Sequence, residues 1–288
     1  MIRFSKYRIL YLIISSFVIL PGIWAMVTGG IKPAIDFTGG TVIEIKSTDL
    51  PKNLIDQAVA SASAEIVDIA NFGENTTIRT KTLSEDASRQ FEAILLTKSG
   101  LTIEQRQTVG PVLGKELLEK TIIAAIFAVI GILLYVAYAF RNFSFGISAI
   151  GALIHDSLIM FGVFALLGKF YSVEVDTLFV TAFMTTMSFS VHDTIVIFDR
   201  IREYRKRDQK ATLTEISDIA LTETMGRSLV NSFTIIFMLL ALVLMGGDTV
   251  KWFAVALLVG TITGTYSSPF IATPILLFLE NRKKNKSS

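Results

Sequence analysis

The sequence predicts a bundle of six membrane-spanning helices with one α+β domain inserted after the first helix. Two observations lead to this fold class. Of the 288 residues, 51% are hydrophobic and only 18% are charged, whereas charged residues make up about 25% of an average soluble domain. The apolar residues are also concentrated in six stretches, each close to the roughly 20 residues that a helix needs to cross a bilayer. The more polar segment 30–120 separates the first stretch from the other five.

The six apolar stretches define the predicted membrane helices. In chain order they are Ile9–Val27, Thr121–Phe140, Phe145–Leu167, Thr177–Phe198, Met225–Gly246 and Val250–Gly264. The first stretch is longer than the apolar core of a signal peptide, which has about 7–15 residues, so it is predicted to remain as a helix. Pro269 is expected to break or kink the last helix, because proline lacks an amide hydrogen and its ring clashes with the preceding turn.

Lysine and arginine residues in the short connecting segments predict the orientation in the membrane. They occur at Arg3 and elsewhere in residues 1–8, at Arg141, in 200–210 and in 281–288, whereas the opposite short loops carry only Lys169 and Lys251. All the basic clusters fall on one side if both termini are cytoplasmic. The predicted organisation is therefore a cytoplasmic N-terminus with the first helix (1–29), an extracytoplasmic domain (30–120), five further helices (121–280) and a basic cytoplasmic tail (281–288).

The composition excludes several kinds of active site. The chain has no cysteine and two histidines, so it has no disulfide framework, no thiolate metal site and no cysteine nucleophile, and little material for a histidine-built metal site. It contains neither an HExxH motif nor a nucleophile elbow. The formal net charge of +2 gives no reason to expect a nucleic-acid partner. We expect a protein that is not an enzyme and that uses no metal or organic cofactor.

Alternating and helical patterns in the inserted segment predict a small α+β domain. Ser84 is a suitable N-cap for its second helix, Gly73–Asn75 is predicted to form a turn, and Gly100 is predicted to stop that helix. The elements are a strand at Thr41–Lys46, a helix at Pro51–Ser63, strands at Ile66–Phe72 and Thr76–Lys81, a helix at Ser84–Lys98 and a strand at Leu101–Val109. This βαββαβ order is the ferredoxin-like arrangement. Because the segment has no catalytic constellation, we interpret it as a binding or lever domain.

Ionisable residues inside the predicted spans are the candidate functional residues. An ionisable side chain at the centre of a membrane helix costs about 2.5–3.5 kcal/mol on insertion scales, so its presence suggests a function. The candidates are His155 and Asp156 in the third span, His192 and Asp193 in the fourth, and Arg227 near the start of the fifth.

Asp193 is the most informative candidate. It shares a helix face with Ser190, and on the next span Arg227 shares a face with Asn231. The two spans are consecutive and antiparallel, so the carboxylate and the guanidinium are expected to meet. A nearby arginine stabilises a charged carboxylate, and its departure favours proton uptake. The pair therefore fits a gated proton carrier, and the alternative is a static ion pair that fixes helix packing.

The other polar residues of these spans are accessory candidates. His155 and Asp156 are adjacent and so point to different helix faces, although Asp156 can hydrogen-bond to a neighbouring helix. His192 is expected to donate a hydrogen bond to a backbone carbonyl. Asp199 lies at the membrane edge, where a solvated charge cluster is the simpler interpretation.

The last span carries a small-residue pattern. Gly260 and Gly264 have the spacing of closely packed membrane helices, and hydroxyl side chains surround them at Thr261, Thr263, Thr265, Ser267 and Ser268. A packing interface is the favoured interpretation, and a hydrated path lined by hydroxyls is the alternative.

Several of these features resemble the SecF branch of the SecD/SecF family of protein-export membrane proteins. The segment after the first span, with Asp36, Phe37, Gly39 and Gly40, is similar to the family's motif at that place. The pair His155–Asp156 resembles its His-Asp pair, and His192–Glu203 resembles its signature at the end of the fourth span. Arg227 falls where the family has its membrane arginine. The resemblance covers essentially the whole chain in the same order.

The resemblance implies a role in protein export. SecF pairs with SecD, and the pair assists the SecYEG translocon in the bacterial cytoplasmic (inner) membrane. It resembles transporters of the resistance–nodulation–division superfamily and is thought to use the proton motive force. The implied partners are SecD, SecYEG, the translocating polypeptide, membrane lipids, YajC and YidC. By position, Asp193 and Arg227 match the family's proton-relay carboxylate and arginine, and the Asp36–Gly40 segment would join the first helix to the moving domain.

Two residues differ from the family's usual pattern. His192 stands where asparagine is usual and adds a second titratable group beside Asp193. Ala34 stands where glycine is frequent, and alanine does not tolerate positive φ as glycine does. The coupling ion is predicted to be a proton, with sodium as the alternative, because the hydroxyls of Ser190 and Thr194 beside Asp193 suit either. The alternative functions are a translocon scaffold without ion coupling and a half-transporter for a small lipid or drug.

Overall fold

The computed structural model describes residues 4–47, 50–72, 75–97, 101–140, 142–208 and 210–287. The predicted features at Arg3, Gly73, Gly100 and Arg141 lie outside the described residues. In chain order the α-helices are α1 Arg8–Val27, α2 Ile35–Thr38, α3 Lys52–Ala62, α4 Glu85–Leu95, α5 Pro111–Phe140, α6 Phe143–Tyr171, α7 Thr177–Arg207, α8 Leu213–Met245, α9 Asp248–Ser267 and α10 Thr273–Ser287.

Short irregular helices and six strands complete the described elements. A 3₁₀ helix, Phe4–Tyr7, precedes α1, and a π-helical turn, Ser268–Ala272, joins α9 to α10. The strands are β1 Lys32–Pro33, β2 Gly40–Lys46, β3 Ile66–Phe72, β4 Asn75–Thr80, β5 Thr102–Val109 and β6 Glu174–Val175.

The chain divides into two compact units. The membrane unit comprises the residues up to Ile31, Ala124–Leu166 and the residues from Leu178 onward, and the α+β unit comprises Lys32–Ile123 and Leu167–Thr177. Residues 167–177, predicted as the connection between the third and fourth membrane helices within the region 121–280, thus belong to the same unit as the inserted sheet.

The membrane unit contains the predicted spans. In the described part of the chain, six helices are long and apolar enough to cross a membrane, which confirms that prediction. About half of the apolar stretch is buried in α6, α7 and α9–α10 (44%, 50% and 56%), whereas 17% or less is buried in α1, α5 and α8. The polar candidates Asp156 and Asp193 therefore lie on α6 and α7, two of the three spans that are well covered within the described part of this chain.

Several helices extend beyond the predicted spans. α7 continues past Phe198 to Arg207, and α8 begins at Leu213 behind a capping box in which Thr212 and Glu215 bond to each other's backbone amides. Hydropathy locates only the apolar part of a helix, while caps and polar side chains allow it to continue into water.

Pro269 lies in the π-helical turn Ser268–Ala272, and the helix continues through it. The wider turn tolerates the missing amide hydrogen and the proline ring. The predicted break is therefore a local widening of a continuous span.

The four-stranded sheet of the α+β unit has the order β3-β4-β2-β5, with every neighbouring pair antiparallel. Alternate residues of a strand share a face, so Ile43 and Ile45 point to the same side and are fully buried together with Ala58 of α3 and Phe91 of α4. The α4 helix begins as predicted, since the Ser84 hydroxyl accepts from the amide of Ala87. The parallel pair β1–β6, which the sequence patterns did not predict, aligns Lys32 with Glu174.

Within the membrane unit, α9 packs closely on α7 through two glycines. A Cβ atom at Gly260 would lie 2.5 Å from side-chain atoms of Thr186, and one at Gly264 would lie 3.0 Å from the Cβ of Ser190. These distances leave no room for a side chain, so the small-xxx-small spacing serves helix packing, as favoured from the sequence.

We expect Gly260→Ala to destabilise the membrane unit by about 1–3 kcal/mol, the usual cost of overpacking. Gly131→Ala is the matched control, because a Cβ added at Gly131 of α5 would meet nothing within 4 Å. Unfolding of the full chain in detergent measures both. Equal stability of the two variants would contradict the close α7–α9 contact.

Candidate functional site

Asp156 is the centre of a buried polar network in the membrane unit. Its side chain is 1% exposed. Its Oδ2 accepts hydrogen bonds from Ser190 of α7 at 2.5 Å and from Ser267 of α9 at 2.7 Å. The Nδ1 of His155 lies 3.0 Å from its Oδ1. Adjacent positions on a helix point to different faces, but the imidazole of His155 reaches back to the carboxylate.

His155 extends this network to the first membrane helix. Its Nε2 lies 2.9 Å from the hydroxyl of Ser15 on α1, and that hydroxyl donates to the phenol oxygen of Tyr266 at 3.3 Å. The Tyr266 hydroxyl donates in turn to the backbone carbonyl of Tyr11 at 2.7 Å. A continuous hydrogen-bonded path therefore runs from Asp156 to the backbone of α1.

Asp193 lies on α7 and is 8% exposed. Its Oδ2 accepts from the hydroxyl of Ser228 on α8 at 2.6 Å. The next residue of α7, Thr194, shares a hydrogen bond with Ser268 at 2.8 Å. Asp193 thus has one hydroxyl partner where Asp156 has two hydroxyls and an imidazole.

Arg227 does not meet Asp193 in this structure. The described residues include no ion pair between the two, and the Arg227 side chain is exposed. Consecutive helix positions are about 100° apart, so when Ser228 faces Asp193, Arg227 points to one side. The predicted pairing is therefore replaced here by a hydroxyl contact one residue along α8.

The remaining predicted residues lie outside the network. His192 is exposed, and within the described part of the chain it makes no hydrogen bond to a carbonyl, contrary to expectation. Asp199 is 62% exposed and pairs with Arg202 at 3.1 Å, in line with a solvated cluster. Ser15 and Ser228 were missed from the sequence, because a serine in a membrane helix often bonds to its own helix backbone and gives no specific signal.

The Asp36–Gly40 segment lies in the α+β unit, where α2 ends and β2 begins. The Asp36 carboxylate accepts from the hydroxyl of Thr177 at 2.8 Å and from its amide at 3.3 Å. Gly39 and Gly40 have φ values of +69° and +139°, which favour glycine. A Cβ at Gly39 would lie 2.7 Å from Cα of Pro111. The motif therefore fits between the first residues of α5 and of α7.

Phe37 of the same segment is buried at 8% exposure. Ala34, which stands where the family frequently has glycine, has φ −70° and ψ 169°. This extended conformation suits any residue, so alanine causes no strain there.

Among the described residues, no group of three or more histidine, aspartate or glutamate side chains could hold a metal ion.

Comparison with known proteins identifies the class. Residues 91–282 match the C-terminal region of the protein export membrane proteins SecD and SecF, and residues 24–49 match the SecD/SecF GG motif. The second match contains the Asp36–Gly40 segment, and the first contains Asp156, Asp193 and Arg227. The bundle with its inserted unit is thus that of a protein-export membrane protein.

Relatives of similar length define the branch. A protein translocase subunit SecF of Thermobaculum terrenum is 39% identical, over 98% of this chain and 95% of the relative. One of Anaerolinea thermophila is 33% identical, over the same shares of the two chains. The chain therefore belongs to the SecD/SecF family, as a SecF-like protein translocase subunit.

Solved structures agree with this assignment. The chain resembles the crystal structure of SecDF, a translocon-associated membrane protein from Thermus thermophilus, with a TM-score of 0.86 and 27% identity. A SecDF structure in a super-membrane-facing form gives a TM-score of 0.68. Each similarity covers 98% of this chain and 39% of the SecDF chain, so the chain spans about two-fifths of SecDF.

We expect Asp156→Ala to destabilise the membrane unit by at least about 2 kcal/mol, because each buried donor left without an acceptor costs about 1–3 kcal/mol. Asp199→Ala is the control and should cost less than about 1 kcal/mol, as for an exposed ion pair. Denaturant unfolding in detergent compares them. A cost for Asp156→Ala no larger than for Asp199→Ala would show that the network does not stabilise the bundle.

Glu174 offers a pH test in the α+β unit. Burial raises the pKa of the Glu174 carboxyl, although Arg79 at 2.6 Å opposes the shift. The folded chain therefore binds a proton at Glu174 more tightly than the unfolded chain does. The stability from this group is complete below the usual carboxyl pKa and is lost as the pH rises through the raised value.

We therefore expect Glu174→Gln to flatten the dependence of the unfolding free energy on pH between roughly pH 4 and 7, measured by denaturant unfolding. Glu65→Gln is the control, since Glu65 is 65% exposed and pairs with Lys81. Superimposable pH profiles for the wild type and Glu174→Gln would contradict the tighter proton binding.

Proposed function

We propose that the chain is the SecF-like subunit of a SecD–SecF complex that assists SecYEG-dependent export by using the proton motive force. The observation that carries the proposal is Asp193, a buried carboxylate with one hydroxyl partner, in a chain that belongs to the SecD/SecF family over nearly its full length. A carboxylate with so little support in an apolar bundle is suited to change its protonation state.

The contrast between Asp156 and Asp193 supports this role for Asp193. Asp156 is held by Ser190, Ser267 and His155, and these contacts fix its side chain in one arrangement. Among the described residues, Asp193 has one hydrogen-bond partner, Ser228. We assign the ion-carrying step to Asp193 and a structural role to Asp156, with His192 and Asp199 outside the path.

Arg227 is proposed to exchange with Ser228 at Asp193 during the cycle. Consecutive Cα atoms are 3.8 Å apart, so the long arginine side chain starts close to the hydroxyl that now contacts the carboxylate. When the guanidinium approaches, it would favour the charged carboxylate, and its withdrawal would remove that stabilisation. A change in the rotation of α8, together with movement of the long Arg227 side chain, would then alternate the two states.

The inserted domain is proposed to be ferredoxin-like, extracytoplasmic and mobile. Its element order and sheet order support the ferredoxin-like arrangement. The two SecDF structures match this chain with TM-scores of 0.86 and 0.68 at the same 27% identity, which supports more than one conformation in the family. One proton crossing the membrane yields about 2.3 kcal/mol per 100 mV, comparable with the few kcal/mol that separate conformers.

The proposed location is the bacterial cytoplasmic membrane, with both termini cytoplasmic and with the Asp36–Gly40 segment joining α1 to the moving domain. The proposed partners are SecD and SecYEG, the translocating polypeptide and membrane lipids, with YajC and YidC as further members of the machinery. The names of the relatives and the SecDF structures support SecD most directly. The largely uncovered apolar helices α5 and α8 provide surface for such contacts.

Asp193→Asn keeps the size of the side chain and removes its charge. We expect this variant to abolish stimulation of export and of proton movement in membrane vesicles that contain the partner subunits. Asp199→Asn should leave both near wild type, because Asp199 is exposed at the helix end. Separate proton and sodium gradients identify the coupling ion, and normal export by Asp193→Asn would favour the uncoupled scaffold.

A further inference from the structure

A largely covered arginine of the α+β unit contacts two chain segments that are far apart in the sequence. Arg79 of β4 is 11% exposed. Its Nη1 donates to Oε1 of Glu174 at 2.6 Å and to the carbonyl of Pro33 at 3.1 Å, and its Nη2 donates to the hydroxyl of Thr38 at 2.6 Å. Arg79 thus joins the four-stranded sheet to the segment after α1 and to the segment before α7.

Other contacts hold the same three parts together, and we call this region the junction (residues 32–38 and 172–177 with Arg79). Lys32 pairs with Asp68 of β3 at 3.2 Å. The amide of Ala34 donates to the carbonyl of Val175 at 2.9 Å within the parallel β1–β6 pair. All of these residues belong to the α+β unit, which ends at Thr177, the first residue of α7.

The chemistry of the junction requires arginine. A guanidinium presents five N–H donors in a rigid plane, so one side chain can serve a carboxylate, a carbonyl and a hydroxyl at once. A lysine carries a charge but lacks the planar fork. A glutamine has two donors and no charge to balance Glu174.

We infer that Arg79 is a positioning residue that transmits movement of the inserted domain to α7, the helix that carries Asp193. The inference rests on the proposed function, because it assumes that domain movement is coupled to an ion at Asp193. A displacement of the sheet is transmitted fully to Thr177 only if the contacts of the junction persist. Two of these contacts are the ion pair of Arg79 with Glu174 and the hydrogen bond from Thr177 to Asp36.

Arg79→Gln in the full chain, together with its partner subunits in membrane vesicles, tests the inference. Export of a secretory protein and proton movement are recorded in the same vesicles. We expect the export obtained per proton moved to fall by about fivefold or more, the lower end of typical couplings between distant sites. Arg79→Lys should give an intermediate ratio.

Arg106→Gln is the matched control. Like Arg79, Arg106 of β5 connects separate parts of the α+β unit, in this case by pairing with Glu85 at 3.0 Å and Glu92 at 3.4 Å. It lies outside the junction. Its ratio of export to proton movement should remain that of the wild type. If Arg79→Gln and Arg106→Gln gave the same ratio at equal protein abundance, Arg79 would have no positioning role.

An engineered disulfide separates lost coupling from a misfolded domain. The chain has no cysteine, and Pro33 is the register partner of Val175, so cysteines at both positions lie on neighbouring strands at a spacing that a disulfide can bridge. Oxidation should leave wild-type export intact and restore the ratio in Arg79→Gln, and a reductant should reverse the rescue. Loss of export in the oxidised wild-type background would show that the junction opens during work and would overturn the inference.

The two proposals fail with different experimental results. If Asp193→Asn exports normally while Arg79→Gln lowers export and the disulfide rescues it, the proton carrier fails and the junction remains. If Asp193→Asn is inactive and Arg79→Gln resembles Arg106→Gln, the junction fails and the carrier remains.

Discussion

The arrangement of the membrane unit depends on the need to surround a buried carboxylate with donors. Asp156 is 1% exposed, and a charge removed from water is tolerated only when hydrogen-bonding groups replace the water. Ser190 of α7 and Ser267 of α9 supply two of them, and His155 relates the same carboxylate to Ser15 of α1. One hydrogen-bond network therefore joins four helices. Gly260 and Gly264 allow α7 and α9 to approach closely enough for Ser190 and Ser267 to reach the same carboxylate.

Much of this architecture could be predicted from the sequence, because local patterns determine it. Six apolar stretches marked the six membrane helices, since hydropathy reports directly on lipid exposure. Alternation in Thr41–Lys46 placed β2, and Ser84 marked the start of α4 through its capping contact. The glycine pair in α9 indicated close packing. Each of these features involves residues that are neighbours along one element, so their spacing alone carries the information.

The contacts between elements could not be read in this way. Whether Arg227 or Ser228 faces Asp193 depends on the rotation of α8, and one residue changes the direction by about 100°. The β1–β6 pair has two residues on each side, too few for an alternating pattern to show. As a consequence, the inclusion of residues 167–177 in the α+β unit was missed, as were the contacts of Arg79 and Asp36 that establish it. Hydroxyl partners such as Ser228 were missed because isolated serines are common in membrane helices.

Asp156 and Asp193, two of the three buried aspartates in the described part of the membrane unit, have different surroundings, and under the proposed function this difference separates a structural carboxylate from an ion-carrying one. A carboxylate held by several donors is fixed in one position, since any movement would leave those donors unsatisfied. Asp156 is in that position. Asp193 has one hydrogen-bond partner among the described residues, Ser228, so a movement of its side chain disturbs fewer neighbours. Because α7 carries Asp193 and begins at Thr177, beside Asp36, the change of state at Asp193 and the movement of the inserted domain that we propose would act on the same helix.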